Sequence, residues 1–496
     1  VKVDTSTSEY SVEALNIVVG ECRSDNLQLG VDESYSLVLS KDVMEIKAPT
    51  VFGALYAMET LSQLVVRNPR RHVTLVQMPW NIQDAPRFPH RGLLIDTSRN
   101  FLSVAAIHRT IDAMSYSKLN VLHWHIVDAQ SFPFDSHLRP ELTREGAYSE
   151  REIYTHDDIR ELISHARDVG VRIIPEFDVP GHTYSWGLGI DNLTVCAAQR
   201  PWPPYCAEPP CGQLDVTSPL AYEVVQDIVT EASTVFTDNV LHTGADEVNY
   251  ACWNTSERMH DYMRAHDIHD YSQLLQMFES RLEKMVSGVN RTMMVWQEIV
   301  DENVTVDKNT IVQIWKDKAS FRRVLQLGYR AVLSNAEAWY LDCGHGNFVT
   351  GGPSWCDPFK TWEAMHANTV TPSLLSPRVA ANILGGEACM WGEQVDDANL
   401  DQRVWPRAAA VAERLWSAEE VDVSRVDVDE GQLPLGRRQG RDQVTRRMLL
   451  HRQRLVSLGI AATPLQPAWC LKVPGGCPDD YNLPPTTTST KPHDEL

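Results

Sequence analysis

No apolar stretch in these 496 residues approaches the roughly 18 to 20 needed to cross a bilayer, which excludes a membrane span of that kind. The amino terminus has none of the charged, apolar and small-residue zones of a signal peptide, so a mature chain is expected. Basic residues are in short supply: 45 Lys and Arg stand against 66 Asp and Glu, for a formal net charge of −21. Phosphate binding needs concentrated cations and no long basic block occurs, so nucleic acid is excluded as a partner. There is no CxxC pair and no helical H-E-x-x-H, which leaves a zinc site without its usual ligands. No metal or other cofactor is expected.

What is present is a large apolar fraction, 43%, enough for at least one sizeable core. Ten cysteines accompany N-x-S/T sequons at Asn192, Asn254, Asn290 and Asn303, a combination that fits an oxidising, glycosylating compartment. The chain ends His493-Asp-Glu-Leu496, an ER-retrieval address if native. Without it, lysosomal or secreted residence is expected. The tail around Pro484-Pro485 lacks residues to bury and is expected to be disordered.

Residues 1–85 hold short β-rich runs at 14–19 and 35–39 and an apolar helical stretch at 51–66, a small α+β domain. The chain opens abruptly beside a strand, so part of this domain is expected to be missing. Pro86-Arg-Phe-Pro89 breaks the pattern. Residues 86–470 then alternate apolar strand candidates (92–96, 119–127, 171–178, 239–246, 292–297, 311–315, 330–334 and 383–390) with mostly helical stretches. Thr155 to Asp158 reads as a capping box ahead of one helix and Ser218-Pro219 as the start of another, with Gly170 as a stop. Eight β-then-α units predict a (β/α)8 TIM barrel, with an open doubly wound sheet as the alternative. Residues 471–496 form a tail. The charged segment 419–447 reads as a surface loop.

In a barrel of this kind the reactive groups stand at the carboxyl ends of the strands. Polar residues recur there: Asp96 and Arg99, His123-Trp-His125 and Asp128, Glu176 to Asp178 before His182, Asp246-Glu247, Glu298, Glu387 and Glu393. Two successive acids at a strand tip resist ionising together, so one should stay protonated, as general acid catalysis requires. The competing reading turns one of them outward to a cation or helix end. Tryptophans 124, 186, 296, 315, 339 and 391 fall near the same strand ends, and indole faces suit pyranose rings. Core packing is the alternative for each.

The motifs DTSRNFL, HWHIVDAQSFP, EFDVPGHT, HTGADEV, VWQE, IVQIWK, AWYLD and GGEACMWGE follow one another in this order. In content and order they resemble the β-N-acetylhexosaminidases of glycoside hydrolase family 20, over residues 50 to 470, and among them the eukaryotic lysosomal or secreted, dimeric type. The resemblance implies a retaining hydrolysis of terminal N-acetylglucosamine or N-acetylgalactosamine in which the substrate's 2-acetamido oxygen attacks the anomeric carbon. It implies Glu247 as acid and base, Asp246 as the group stabilising the acetamide, and Tyr340 as donor to its oxygen. Trp296, Trp315 and Trp391 would wall the pocket, Arg99 and Glu393 would hold hydroxyls, and Asp128 and His182 would support the site. Asp342 implies neutral sugars. Ala129 and Ala245 depart from the family pattern, the latter beside the catalytic pair.

The resemblance also implies bridges Cys343–Cys356 and Cys470–Cys477, with Cys389 a buried free thiol. Cys196, Cys206, Cys211 and Cys252 then form two bridges in one of three pairings. Cys22 is left over. Three rival readings remain on the residues alone. One is a sugar-recognition protein on this scaffold, another a glycosidase with Glu298 or Asp178 as nucleophile, and the last a metal hydrolase using His123, His125 and His182.

Overall fold

A computed structural model of the chain describes residues 14–20, 27–41, 43–67, 73–75, 78–372, 375–417, 435–473 and Cys477. Cys22, the proline- and threonine-rich tail and the HDEL terminus lie outside the described residues. Two compact units result, Val1–Ala418 and Glu419–Leu496.

In the first unit, β1 (Asn16–Val19), β2 (Tyr35–Leu39), β3 (Met44–Ala48) and, later in the chain, β6 (Trp80–Asp84) form a sheet in the order β1-β3-β2-β6. Between β3 and β6 run the helix Val51–Leu64 and a short hairpin of β4 (Val65–Arg67) and β5 (Val73–Leu75). Alternation along β2 buries Tyr35, Leu37 and Leu39 on one face, and these pack with Ile46, Ala54, Tyr56 and Trp416. Thr50 caps the helix, its side chain accepting from Gly53 N. β3 and β6 went unread in the sequence although Met44-Glu-Ile-Lys-Ala and Trp80-Asn-Ile-Gln alternate as strands do, because runs of five residues are too short to stand out.

Eight parallel strands close the barrel: β7 (His90–Asp96), β8 (Val121–Val127), β9 (Arg172–Phe177), β12 (Val240–His242), β13 (Thr292–Trp296), β14 (Ile311–Ile314), β15 (Arg330–Leu333) and β16 (Ile383–Met390). The small pair β10 (Thr194–Val195) and β11 (Gln213–Leu214) lies between β9 and β12. All eight anticipated strands are present, and closure removes the open-sheet alternative. One is much shorter than expected: 239–246 stops at His242, because Gly244 and Ala245 take φ values of 68° and 74° that no strand can hold. Helix His156–Asp168 starts on the expected capping box, with Thr155 and Asp158 bonding reciprocally. Helix Pro219–Val235 starts with proline in its first turn, but Ser218 makes no side-chain cap bond.

The inward side chains lie in layers, as the period of two along each strand requires. The lowest is apolar: Val121, Ile174, Val240, Met294, Ile311, Val332 and Leu384. Two residues further along most of these strands stand His123, Glu176, His242, Trp296 and Gln313, with Glu387 beside them, all buried. Gly92 clears room in this layer, since a Cβ there would lie 2.3 Å from Glu387 Cγ.

In the second unit, residues 435–457 form the helix Leu435–Ser457, so the part of 419–447 that is described is helical where a loop was expected. Its last turn leads through Ile460 and Ala462 to the short helix Ala468–Lys472 and the bridge Cys470–Cys477.

Candidate active site

Above the polar layer, at the carboxyl ends of the strands, a cavity of about 390 Å³ opens. Arg99, Asp128, His182, Asp246, Glu247, Trp296, Trp315, Tyr340, Asp342, Trp391 and Glu393, the whole set of expected site residues, line it. The four expected glycosylation asparagines, Asn192, Asn254, Asn290 and Asn303, are all exposed on the surface.

The loop after β12 sets the acidic pair. Gly244, Ala245 and Glu247 all have positive φ, so the chain doubles back and turns successive side chains toward the cavity. Gly244 is obligatory: a Cβ there would sit 1.7 Å from Asp178 Oδ1, which accepts from Ala245 N at 3.0 Å. Asp246 is almost fully buried, its Oδ1 has no hydrogen-bond partner, and burial together with Asp178 pushes its carboxyl well above the usual range. Burial and the neighbouring carboxyl thus oppose charge on Asp246 while no donor faces its Oδ1. Glu247 is the more open of the two, and its Oε2 lies 3.3 Å from His182 Nε2.

His182 is held in turn. Its Nδ1 lies 3.0 Å from Asp128 Oδ1, and although burial opposes charge, Asp128 and Asp178 hold the ring well above the usual histidine range. Asp128 also meets Arg99 at 2.8 Å and His125 at 2.8 Å, and these cations keep it ionised despite its burial. Arg99 reaches Asp96, Asp128, Glu208 and the Gln130 side chain.

Trp296, Trp315, Tyr340 and Trp391 form an aromatic box over Cys389, Ala336 and Leu94. Tyr340 stacks with Trp315 at 17° and 6.5 Å, while Trp391 stands 6.3 Å from Tyr340 and 6.0 Å from Trp296. Trp296 is anchored through Nε1 to Glu176 at 2.7 Å, and Trp315 through Nε1 to both oxygens of Glu298 at 3.0 Å. Trp124, Trp186 and Trp339, grouped with these in the sequence, are fully buried and line no part of the cavity: Trp124 bonds Thr97 and Trp339 bonds Met365 O. Strand alternation explains Trp124, since His123 and His125 point inward and the residue between them points out.

Among the lining residues that escaped sequence reasoning are Trp202, Glu208 and Trp355. All sit on loops, where no periodicity marks them. Both loops are cross-linked: Cys196–Cys252 and Cys206–Cys211 bind the one with Trp202 and Glu208, and Cys343–Cys356 binds the one with Trp355. This settles the open pairing, and Cys389 is a buried free thiol as expected.

Seven carboxyl groups against two arginines line the cavity. Crowded in this way, several are driven toward their neutral forms. Burial pushes Asp178 up to about 6 and Asp342 to about 7, and burial with Glu208 raises Glu393.

The rival chemistries fit poorly. Glu298 is pushed up to about 8 by burial and Asp246, and its oxygens are bound by Trp315 and Lys316, whereas a nucleophile must be ionised and free. Asp178 is tied to the backbone of the acidic loop. His123, His125 and His182 each face a carboxylate from both ring nitrogens, and all three are held toward the cationic form, which cannot ligate a metal.

A closed parallel barrel whose strand ends carry an aromatic box, an arginine among carboxyl groups and an acidic pair defines a carbohydrate-active enzyme. Residues 88–419 match the model of the glycosyl hydrolase family 20 catalytic domain, and residues 2–64 match a domain described as beta-acetyl hexosaminidase like. The chain belongs to glycosyl hydrolase family 20. It is 38% identical to the chitooligosaccharidolytic beta-N-acetylglucosaminidase of Ostrinia furnacalis, over 95% of this chain and 80% of that one. It is 39% identical to human beta-hexosaminidase subunit beta, over 88% and 73% respectively. The crystal structure of Flavobacterium johnsoniae chitobiase superposes with a TM-score of 0.74 at 28% identity, covering 90% of this chain and 63% of that one.

Proposed function

We infer that this protein is an exo-acting β-N-acetylhexosaminidase that removes terminal non-reducing N-acetylglucosamine or N-acetylgalactosamine from neutral glycans, with retention. The observation that carries this reading is the unpartnered, buried Oδ1 of Asp246, which lines the same cavity as the aromatic box. A buried acceptor without a donor is costly, and an acetamide N–H arriving there would satisfy it. Tyr340 donates to the acetamide oxygen and aligns it on the anomeric carbon. Glu247 gives its proton to the glycosidic oxygen as that oxygen leaves C1 and the acetamide oxygen bonds to C1, producing an oxazolinium ion. Glu247, now a carboxylate, takes a proton from water, the water oxygen bonds to C1, and the acetamide is restored. Asp246, accepting the acetamide N–H, stabilises the positive charge in between. Arg99 and Glu393 grip ring hydroxyls, Asp128 and His182 orient Glu247, and Trp296, Trp315 and Trp391 enclose the sugar. Asp342 and the other carboxyl groups disfavour anionic sugars.

Residence in the secretory pathway is supported by the disulfides at both rim loops and by the exposed sequon asparagines. Among the described residues no helix is long and apolar enough to cross a membrane. The homodimer belongs to this proposal; relatives named beta-hexosaminidase subunit beta and subunit alpha support an assembly of more than one chain.

The test uses paired aryl β-glycosides that differ only at C2, one with a 2-acetamido and one with a 2-hydroxyl group. The acetamido sugar alone should be cleaved, and Glu247→Gln should lower kcat by about 10²- to 10⁴-fold. Comparable cleavage of the 2-hydroxyl sugar would sink substrate assistance.

A further inference from the structure

Below the pocket, the inward layer of histidines and carboxylates is a chain of hydrogen bonds and close ion pairs. Glu387 faces His90 Nε2 at 2.5 Å, His123 Nδ1 at 2.9 Å and Gln313 Nε2 at 2.8 Å. His123 Nε2 lies 3.0 Å from Glu176 Oε2, and the same oxygen meets His125 Nδ1 at 2.6 Å. His125 Nε2 meets Asp128, Asp128 meets His182, and His182 meets Glu247. The other oxygen of Glu176 accepts from Trp296 Nε1. Glu176 is therefore the branch point. One arm runs through His125, Asp128 and His182 to the acid, and the other ends directly on a wall of the pocket.

We propose that Glu176 is a positioning residue for the hydrolysis inferred above, aligning the proton donor Glu247 through His125, Asp128 and His182 and fixing the Trp296 wall at the same time. The proposal rests on that reading of the function. The physical reason is the division of charge along the arm. His125 lies between two carboxylates, and Asp128 is shared among Arg99, His125 and His182. With an uncharged group at 176, His125 has Asp128 as its one remaining anion and draws it closer. Asp128 then loosens its hold on His182 Nδ1, and the ring loses its set direction toward Glu247 Oε2. Every member from Glu387 to Asp128 is excluded from solvent, so no water restores the lost contacts.

Such a role has a signature that mere scaffolding lacks. A sugar leaving group needs a proton as the C1–O bond breaks, whereas a dinitrophenolate does not. The experiment measures kcat/KM, which reports the steps up to that bond cleavage, for an N-acetylglucosamine oligosaccharide and for the 2,4-dinitrophenyl glycoside of N-acetylglucosamine. In Glu176→Gln, kcat/KM on the oligosaccharide should fall at least about tenfold further than on the dinitrophenyl glycoside, within the range general acid catalysis supplies. Displacement of Trp296 lowers both values alike and cancels in the ratio.

Glu387→Gln is the comparator: its site is equally buried and also binds histidine, but it touches neither His125 nor Trp296 and reaches Glu176 only through His123, whose Nε2 makes no hydrogen bond, so the ratio should shift by much less than in Glu176→Gln. If Glu176→Gln does not fold, as judged by its melting transition, His125→Gln interrupts the same arm one link further on and should shift the ratio in the same direction. A parallel fall on both substrates in the folded variant overturns the proposal, and so does an equal ratio shift in Glu387→Gln. The inferred activity is scored separately, on the wild type with the 2-acetamido and 2-hydroxyl pair.

Discussion

Ala245 is the residue where local preference and site geometry conflict most openly. Its φ of 74° lies in the left-handed region, which costs an L-residue about 1–2 kcal/mol, and it is fully buried between Gly244 and the acidic pair. Glycine would remove that cost and add about 0.5–1 kcal/mol of chain entropy to be lost on folding. Ala245→Gly should therefore raise stability by about 0.5 kcal/mol in urea denaturation, with no loss of kcat. A clear destabilisation would mean that the methyl group packs more favourably than the backbone is strained. The site was legible at this scale because Arg99, His182, Asp246, Tyr340 and Glu393 sit in dense motifs at strand ends. Trp124 was grouped with the pocket although the outward phase between His123 and His125 already marked it as core. Glu208 and Trp355 could not be read, since loop residues reach the pocket by a route that no period encodes.

Among the elements, the helix Tyr271–Gly288 carries a group at odds with its surroundings. Glu279 is fully buried and neither carboxylate oxygen has a hydrogen-bond partner. Burial, aided by Glu283 one turn on, pushes its carboxyl up to about 8. The folded value lies above the unfolded one, near 4.3, so the folded state binds the extra proton. The helix is thus most stable below about pH 4, and stability drains away as pH rises to about 8. Glu279→Gln should abolish this slope and leave a protein several degrees more stable at pH 8 than the wild type, measured by thermal unfolding from pH 4 to 8. Equal slopes in both proteins would count against it. The strands were the most readable elements. A parallel strand covered on both sides is an unbroken apolar run, as in Gly92-Leu-Leu-Ile95 or Met293-Met-Val-Trp296. β12 was overextended because Gly244-Ala245 continues the small, apolar run while its dihedral angles already belong to the turn.

For the molecule as a whole, the dominant property is an excess of acidic groups, −21 in formal terms, and the pocket crowds seven carboxyl groups together. An N-acetylglucosaminide bearing a 6-sulfate must bring an anion among carboxyl groups, with Arg99 already committed to several partners. Its kcat/KM should lie at least tenfold below that of the neutral sugar, about 1.4 kcal/mol of discrimination. Equal rates would place a free cation at the sugar's 6-position and would reassign Arg403, the other arginine of the cavity.

Two sides of that cavity are stitched by sulfur. The loop bearing Trp202 and Glu208 and the loop bearing Trp355 are each closed by bridges, while the barrel beneath them needs none. None of these three bridges joins two barrel strands, so the cross-links bear on the mouth and not on closure of the barrel. Reduction would therefore unfasten the mouth of the cavity without touching a single strand pairing of the barrel beneath it.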